Sequence, residues 1–233
     1  MIVYGRNVAL EIFKKKKKVR KIYLQENFND ERLNSYLESI KIPIKTFKKN
    51  ENHEFEKYNH QGILLDIEEF SYESIDEFLL REKENKKVLI LDHLEDSYNI
   101  GAIIRSAEAG GMDGVIIPKD RSSLVNSIVI KTSAGSIFDI PIILVTNINQ
   151  TIKKLKENNY WIIATDLKGT DYRTLDYKGN IALIIGNESR GVSNLTLRNS
   201  DYIITIPMYG KTNSLNASVA AGILIYEVVN KRE

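Results

Sequence analysis

Apolar residues fall along this chain in two rhythms, and the stronger occupies its C-terminal two thirds. Short, nearly unbroken apolar runs recur at 88–91, 114–118, 141–145, 160–165, 181–185 and 202–206. Between them lie helical patterns, notably 100–109, 151–158 and 217–230. In the last, Val219, Gly222, Ile223 and Tyr226 fall at three- and four-residue spacing. Asn216 or Ser214 can cap that helix by accepting from its free N–H groups, and Pro207 cannot extend the preceding run as a central strand. Runs apolar throughout, separated by helices, predict a parallel sheet covered on both faces. In such sheets ligands bind beyond the carboxyl ends of the strands.

The first third alternates less strongly. Asn7 is expected to cap a helix bearing Val8, Ala9, Ile12 and Phe13, and Asp30 a second with Leu33, Tyr36, Leu37 and Ile40 on one face. Strands are expected at 21–24 and 42–47, a short polar helix at 50–57, and a turn leading into a strand across 60–67. This order makes a small α/β layered domain. Residues 68–87 are acidic and mixed, with one amphipathic piece at Ile75, Phe78 and Leu79. The expected organisation is a domain at 1–67, a linker with a short helix at 68–87, and a larger domain at 88–233.

Composition narrows the field. Of 233 residues, 42% are hydrophobic and 27% charged, which suits a protein with a substantial core. The absence of cysteine excludes disulfides, thiolate metal sites and a cysteine nucleophile. No apolar run approaches the roughly 20 residues that span a bilayer. The charges near the start follow the apolar part, the reverse of a secretory signal, so a cytoplasmic protein is expected. The net charge of +2 hides an asymmetry: residues 1–67 hold fourteen Lys and Arg against nine Asp and Glu, while residues 88–233 balance. The basic part contains five consecutive lysines at 14–18. Such a run either contacts phosphates, releasing counterions, or closes a helix whose C-terminal pole favours cations. His53, His60 and His93 have no metal-ligand spacing and read as structural or surface residues.

The segments following the strands carry the candidate chemistry. After the run at 88–91, Asn99 and Gly101 stand near a helix start and Arg105 follows among Ile103, Ile104 and Ala107. An arginine on an otherwise apolar helix calls for a carboxylate or a phosphate. After the run at 181–185 comes Gly186-Asn-Glu-Ser-Arg-Gly191, which lacks the Gly-Lys-Ser/Thr of a triphosphate loop. No Gly-x-Gly-x-x-Gly follows any strand, so the usual dinucleotide fingerprint is missing.

Three features occur in order, each after an apolar run: Asn99-x-Gly101-x-x-x-Arg105, then Gly186-Asn187-Glu188-x-x-Gly191, then Ile206-Pro207…Ser214-Leu215-Asn216-x-Ser218-x-Ala220. Together they resemble the three motifs of the SpoU class of RNA 2′-O-ribose methyltransferases in the SPOUT superfamily, over residue 88 to the end. The first third resembles the ribosomal-protein-like (L30e-like) substrate-binding domain of one branch, through Tyr4-Gly5 and His60-Gln-Gly-Ile63. That pairing is similar to bacterial enzymes that methylate a guanosine in the peptidyl-transferase P-loop of 23S rRNA.

The resemblance implies an α/β fold with a C-terminal trefoil knot, an exception to the rule of unknotted connections. It implies S-adenosylmethionine bound in the knot near Gly186, Ile206, Leu215 and Thr165, with no metal. It implies in-line attack of a ribose 2′-OH on the cofactor methyl, with Arg105, Asn99, Glu188, Ser214 and Asn216 as catalytic residues and Glu188 available to hold Arg105 or another donor. It also implies a homodimer joined through the knotted domains, acting on 23S rRNA. The loop at 208–213 and the weight of the lysine run depart from the pattern and bear on the RNA target. Alternatives are a sister enzyme acting on tRNA, one conferring antibiotic resistance through rRNA, or a non-catalytic ribosome-assembly factor.

Overall fold

The computed structural model describes residues 1–49, 55 and 58–231. The helix expected at 50–57, apart from Phe55, lies outside the described residues. So does His53.

The N-terminal part is built on a mixed four-stranded sheet in the order β1-β4-β2-β3, with β1 at Ile2–Tyr4, β2 at Val19–Gln25, β3 at Ile44–Phe47 and β4 at Ile63–Ile67. β4 runs antiparallel to both β1 and β2, while β2 and β3 are parallel. Helix α1 (Arg6–Lys14) buries Val8, Ala9, Ile12 and Phe13, the face its spacing predicts. Helix α2 (Glu31–Ser39) is capped by Asp30, whose carboxylate accepts from the Arg32 N–H. Asn7 is not a cap. The helix begins two residues earlier, after Gly5, and its first free N–H, on Arg6, is taken by the Gln61 side chain at 3.1 Å. A residue 55 positions away in sequence thus supplies what a local cap otherwise would.

The segment after β4 packs closely. Glu73 pairs in parallel with Ile143 on the second sheet. Helix α3 (Ile75–Leu79) starts at a reciprocal capping box between Ser74 and Glu77 and buries Phe78 almost completely. Truncating Phe78 to alanine would cost about 3–5 kcal/mol.

The second sheet has six parallel strands in the order β10-β8-β9-β5-β6-β7. They are β5 (Lys87–Asp92), β6 (Gly114–Pro118), β7 (Ile142–Val145), β8 (Tyr160–Asp171), β9 (Asn180–Gly186) and β10 (Tyr202–Thr205). Every residue of β5 and β6 is buried, as parallel strands covered on both faces require. Even Lys87 is fully buried, its ammonium donating to the carbonyls of Tyr177 and Gly179. Helix α4 (Ser97–Ala109), capped by Asp96, and the C-terminal helix α8 (Ala217–Asn230), capped by Asn216, pack against each other. The contact runs past Gly110, where a Cβ would meet Ile225 Cγ2 at 2.7 Å. Helices α5 (Ser127–Thr132), α6 (Ile148–Glu157) and α7 (Asn194–Arg198) complete the set among the described residues.

Two features of this sheet prepare the site. Sequence order leaves β5 in one direction through β6 and β7 and in the other through β9 and β8, so a topological switch point lies between β5 and β9. In addition, β10 pairs through Ile203 with Ala164 and then through Ile204 with Thr170, so residues 165–169 loop out of β8. Gly169 closes that excursion: a Cβ there would lie 2.7 Å from Ile204 Cα and O.

Candidate active site

A cleft of about 590 Å³ opens where residues 165–167, 185–191, 204–208 and 214–224 converge, around the carboxyl ends of β9 and β10 and the excursion from β8. Its size falls within the usual range for small-molecule and cofactor sites. Among its lining residues are Ile185, Ile206, Leu215, Ala220 and Leu224, with Thr165, Glu188, Ser214 and Asn216 as polar points. Such a wall suits an adenosyl group held by apolar contact and backbone polar groups, the kind of ligand the sequence motifs imply. Thr165 is fixed by donating to the Ile184 carbonyl at 3.0 Å. The rim at 208–213 is tethered through Tyr209, whose hydroxyl receives a hydrogen bond from Arg173 at 3.0 Å. Arg173 in turn holds the Asp171 carboxyl down to about 2.

All four residues expected around the cofactor, Gly186, Ile206, Leu215 and Thr165, line this cleft, and so do Glu188, Ser214 and Asn216. Asn99 stands behind it and joins the three sequence motifs. Its amide nitrogen donates to Glu188 Oε1 at 3.1 Å, and its oxygen accepts from Asn216 Nδ2 at 3.0 Å. A neutral amide is suited to this place because it donates on one side and accepts on the other. The Asn216 oxygen meanwhile caps α8 by accepting from the Ser218 and Val219 N–H groups.

Of the donors left open for Glu188, Arg105 or another, it holds Asn99. Arg105 lies outside the cleft, exposed on α4, and makes no hydrogen bond or ion pair among the described residues. The ion pair that an arginine on an apolar helix suggested is therefore not made within the described chain. The close approach at Gly186 is also to the protein itself, since a Cβ there would run into the backbone of Gly191 and Val192. Residues 187–191 form a tight hairpin closed by Asn187–Gly191 backbone bonds of 2.9 and 3.1 Å. Gly191 sits at φ +66°, where glycine is favoured.

Sequence reasoning missed the frame behind this hairpin. Asn187 donates to the His93 carbonyl at 2.8 Å and accepts from the Ser189 and Arg190 N–H groups. Buried Asp92, at the end of β5, accepts from the Ser193 N–H at 3.0 Å and pairs with the His93 ring. The available signal was a polar residue ending an apolar strand, which reads equally well as a strand terminus. Among the described residues no cluster of His, Asp and Glu is placed to hold a metal ion, and no helix is long and apolar enough to cross a membrane.

The lysines at 14–18 are mostly engaged. Lys14 pairs with Glu11, Lys15 with Asp139, and Lys18 with Glu68 at 2.6 Å. The Lys17 ammonium lies 5.5 Å from the Phe138 ring centroid. Two of these contacts, at Lys15 and Lys17, reach from the N-terminal part to the turn before β7.

A parallel sheet with a cofactor-sized cleft beyond the ends of β9 and β10, lined by two of the ordered polar motifs and tied to the first through Asn99, fits a methyltransferase of the SpoU type. The chain belongs to the SpoU/TrmH family of RNA methyltransferases: residues 86–226 match the SpoU rRNA Methylase family, and residues 2–73 match the RNA 2′-O ribose methyltransferase substrate-binding family. A protein of Staphylococcus aureus (strain COL) named for the TrmH family of tRNA/rRNA methyltransferases is 40% identical over 238 residues, covering 99% of this chain and 96% of that one. A Staphylococcus saprophyticus protein of the same name is 40% identical over 239 residues, covering 100% and 96%. Among solved structures, the SpoU methyltransferase AviRb of Streptomyces viridochromogenes, crystallised with AdoMet, is similar in fold. It superposes with a TM-score of 0.83 at 24% identity, covering 99% of this chain and 89% of that one.

Proposed function

We propose that this protein transfers a methyl group from S-adenosylmethionine to a ribose 2′-OH of structured RNA, with a guanosine of 23S rRNA as the target. The observation that carries the reading is the hydrogen-bonded chain Glu188–Asn99–Asn216, which links all three motifs at the edge of a cofactor-sized cleft. Gly186, Ile206, Leu215 and Thr165 hold the cofactor, and the C-terminal part, where the Ile204 backbone passes close against Gly169, is tied in a trefoil knot. When bound, the cofactor supplies an electrophilic methyl group, whose bond to sulfur breaks in the transfer to leave S-adenosylhomocysteine.

The protein's own residues bring the hydroxyl to it. Ser214 and Asn216 offer hydrogen bonds at the cleft edge, and Asn99 keeps Asn216 and Glu188 in register. Of the five catalytic candidates, Glu188 has the only carboxyl group, the side-chain type suited to taking the hydroxyl proton as the new O–C bond forms. Arg105 stays charged. Its part is to align the ribose–phosphate and offset developing alkoxide charge.

Arg105 is exposed and does not line the cleft of its own chain, and on this reading a second copy brings it to the reaction. The surface for that copy is the outer face of α8, where Val219, Ile223 and Tyr226, with Leu215 just before the helix, are exposed. A contiguous apolar face of this kind marks an association surface. α8 packs directly on α4, which carries Arg105. The working unit is therefore a homodimer, with residues 1–67 binding RNA, 68–87 joining the parts and 88–233 performing transfer.

The test is methylation of transcribed 23S rRNA and of tRNA with radiolabelled S-adenosylmethionine, followed by mapping of the modified ribose. A single 2′-O-methylguanosine in 23S rRNA is expected. A tRNA product would move the target to the sister class, and a methyl group on a base would overturn the reaction.

A further inference from the structure

The Tyr4-Gly5 and His60-Gln61-Gly62 segments meet at the junction of the two sheets, and between them lies a side chain from the catalytic part. Lys131, near the end of α5, reaches across so that its ammonium donates to Gln61 Oε1 at 2.8 Å in a solvent-exposed hydrogen bond. Its ammonium lies against Gly5, at φ +105°, where a Cβ would force it to shift. The Tyr4 ring centroid is 5.9 Å away. No carboxylate pairs with Lys131 among the described residues. Its surroundings are a neutral amide, an aromatic ring and His60, whose Nδ1 accepts from the Gly62 N–H at 2.9 Å. Burial, and then Lys131 itself, hold the His60 pKa below its ordinary value, so the imidazole is neutral there near pH 7. Burial likewise lowers the Lys131 pKa.

An ammonium offers three donors, and one is spent on Gln61. A partly desolvated cation without a counter-ion lacks the pairing that normally offsets its burial. Its position indicates which anion would complete it. Tyr4 donates toward or accepts from the Ser127 hydroxyl, and its pKa is raised by burial and next by the nearby Tyr98 phenol. Tyr98 is 64% exposed on the first turn of α4, immediately before Asn99. A polar and aromatic track therefore leads from Lys131, past Tyr4 and Tyr98, to the residue that joins the three motifs.

Resting on the function proposed above, we propose that Lys131 is an RNA contact: it binds a backbone phosphate of the substrate where the strand passes from the N-terminal part to the cleft, with a neighbouring base stacked on Tyr98. Aromatic platforms beside a cation are a general way of holding single-stranded nucleic acid. On this account the Gly5 and Gln61 segments present a catalytic-side lysine to the RNA.

The experiment uses the full-length protein, transcribed 23S rRNA and a salt series. Lys131→Met should bind S-adenosylmethionine as the wild type does but lose about 5- to 10-fold in RNA affinity at low salt. Its log K against log[salt] slope should be shallower by about 0.7–0.9, as for one phosphate contact. Lys131→Arg should retain most of the affinity. Gln61→Glu is the variant that preserves the fold if Lys131→Met does not, because it supplies a carboxylate to the ammonium in place. It should hold the junction at least as firmly while weakening RNA binding and flattening the slope. An unchanged slope and affinity in either folded variant would overturn the proposal and leave Lys131 as a clamp between the sheets. Failure of the wild type to bind S-adenosylmethionine would instead overturn the reading of the cleft.

Discussion

The lysines at 14–18 and Arg105 invert what their sequence contexts suggest. Five consecutive cations look like a nucleic-acid contact, yet four of them have partners within the described chain, two across the junction to Asp139 and Phe138. A lone arginine on an apolar helix looks like half of a buried ion pair, yet it stands exposed with no partner among the described residues. Charge density in a sequence therefore says little about where a charged ligand binds. Cations whose pairing the fold leaves incomplete, Arg105 and Lys131, are better guides. Exposed ion pairs are individually weak, so the lysine run adds only a light fastening between the two parts, through Lys15 and Lys17.

The comparison is broken most severely at Arg105. Arg105→Ala should keep cofactor affinity and slow single-turnover methylation by on the order of 10²–10³, as for loss of one electrostatic contact in the transition state. Arg105→Lys should recover only part, because lysine restores the charge without the planar fork. Full activity with a lowered melting temperature would mean that Arg105 serves the fold alone.

The next effect sharpens where Arg105 acts. Glu188→Ala should slow turnover by on the order of 10², and mixing it with Arg105→Ala should restore part of the activity. In a mixed dimer one site regains Glu188 from one copy and Arg105 from the other. The absence of any recovery, with subunit exchange verified, would place both residues in one chain's site. Val219→Asp with Ile223→Asp should convert the dimer to a monomer and remove activity together, as seen by light scattering and the same assay.

At Asn99 the expected loss is smaller and partly shared. Asn99→Ala unties Glu188 from Asn216, and its effect should be less than additive with Glu188→Ala because the two act as one unit. Strict additivity in single-turnover rates would separate them. The smallest effect is expected at the lysines. Replacing Lys14, Lys16 and Lys18 together by Gln should change RNA affinity less than Lys131→Met alone. It should leave stability close to that of the wild type, measured by urea unfolding. A larger loss of RNA affinity than at Lys131 would return the lysine run to the RNA-binding surface.

Much of this architecture was legible because periodicity is set by burial. β6 and α8 fall on the residues their apolar patterns mark, and Asp30 and Asn216 cap as their side chains allow. What was not legible depends on partners distant in sequence. The start of α1 was misplaced because Gln61 supplies the first N–H acceptor. β1 has only three residues, too few to show a period. α5 and α7 have six and five residues, within segments too short and mixed for a helical stripe. At the site the residue types were readable from the ordered motifs, but not their pairing: nothing local shows that Glu188 reaches Asn99 across 89 positions. The tight packing of Gly186 on the backbone of Gly191 and Val192 was equally out of reach.

The central claim is that the cleft holds S-adenosylmethionine and delivers its methyl group to a ribose. The most direct measurement is isothermal calorimetry of S-adenosylmethionine, ATP and NAD against the wild type and Leu215→Asp, followed by mass spectrometry of nucleosides from rRNA treated with the loaded enzyme. The account predicts that the wild type binds S-adenosylmethionine alone of the three, that Leu215→Asp loses that binding while remaining folded, and that a 2′-O-methylated nucleoside appears. Binding of NAD with none of S-adenosylmethionine, or a methyl group found only on a base, would contradict it.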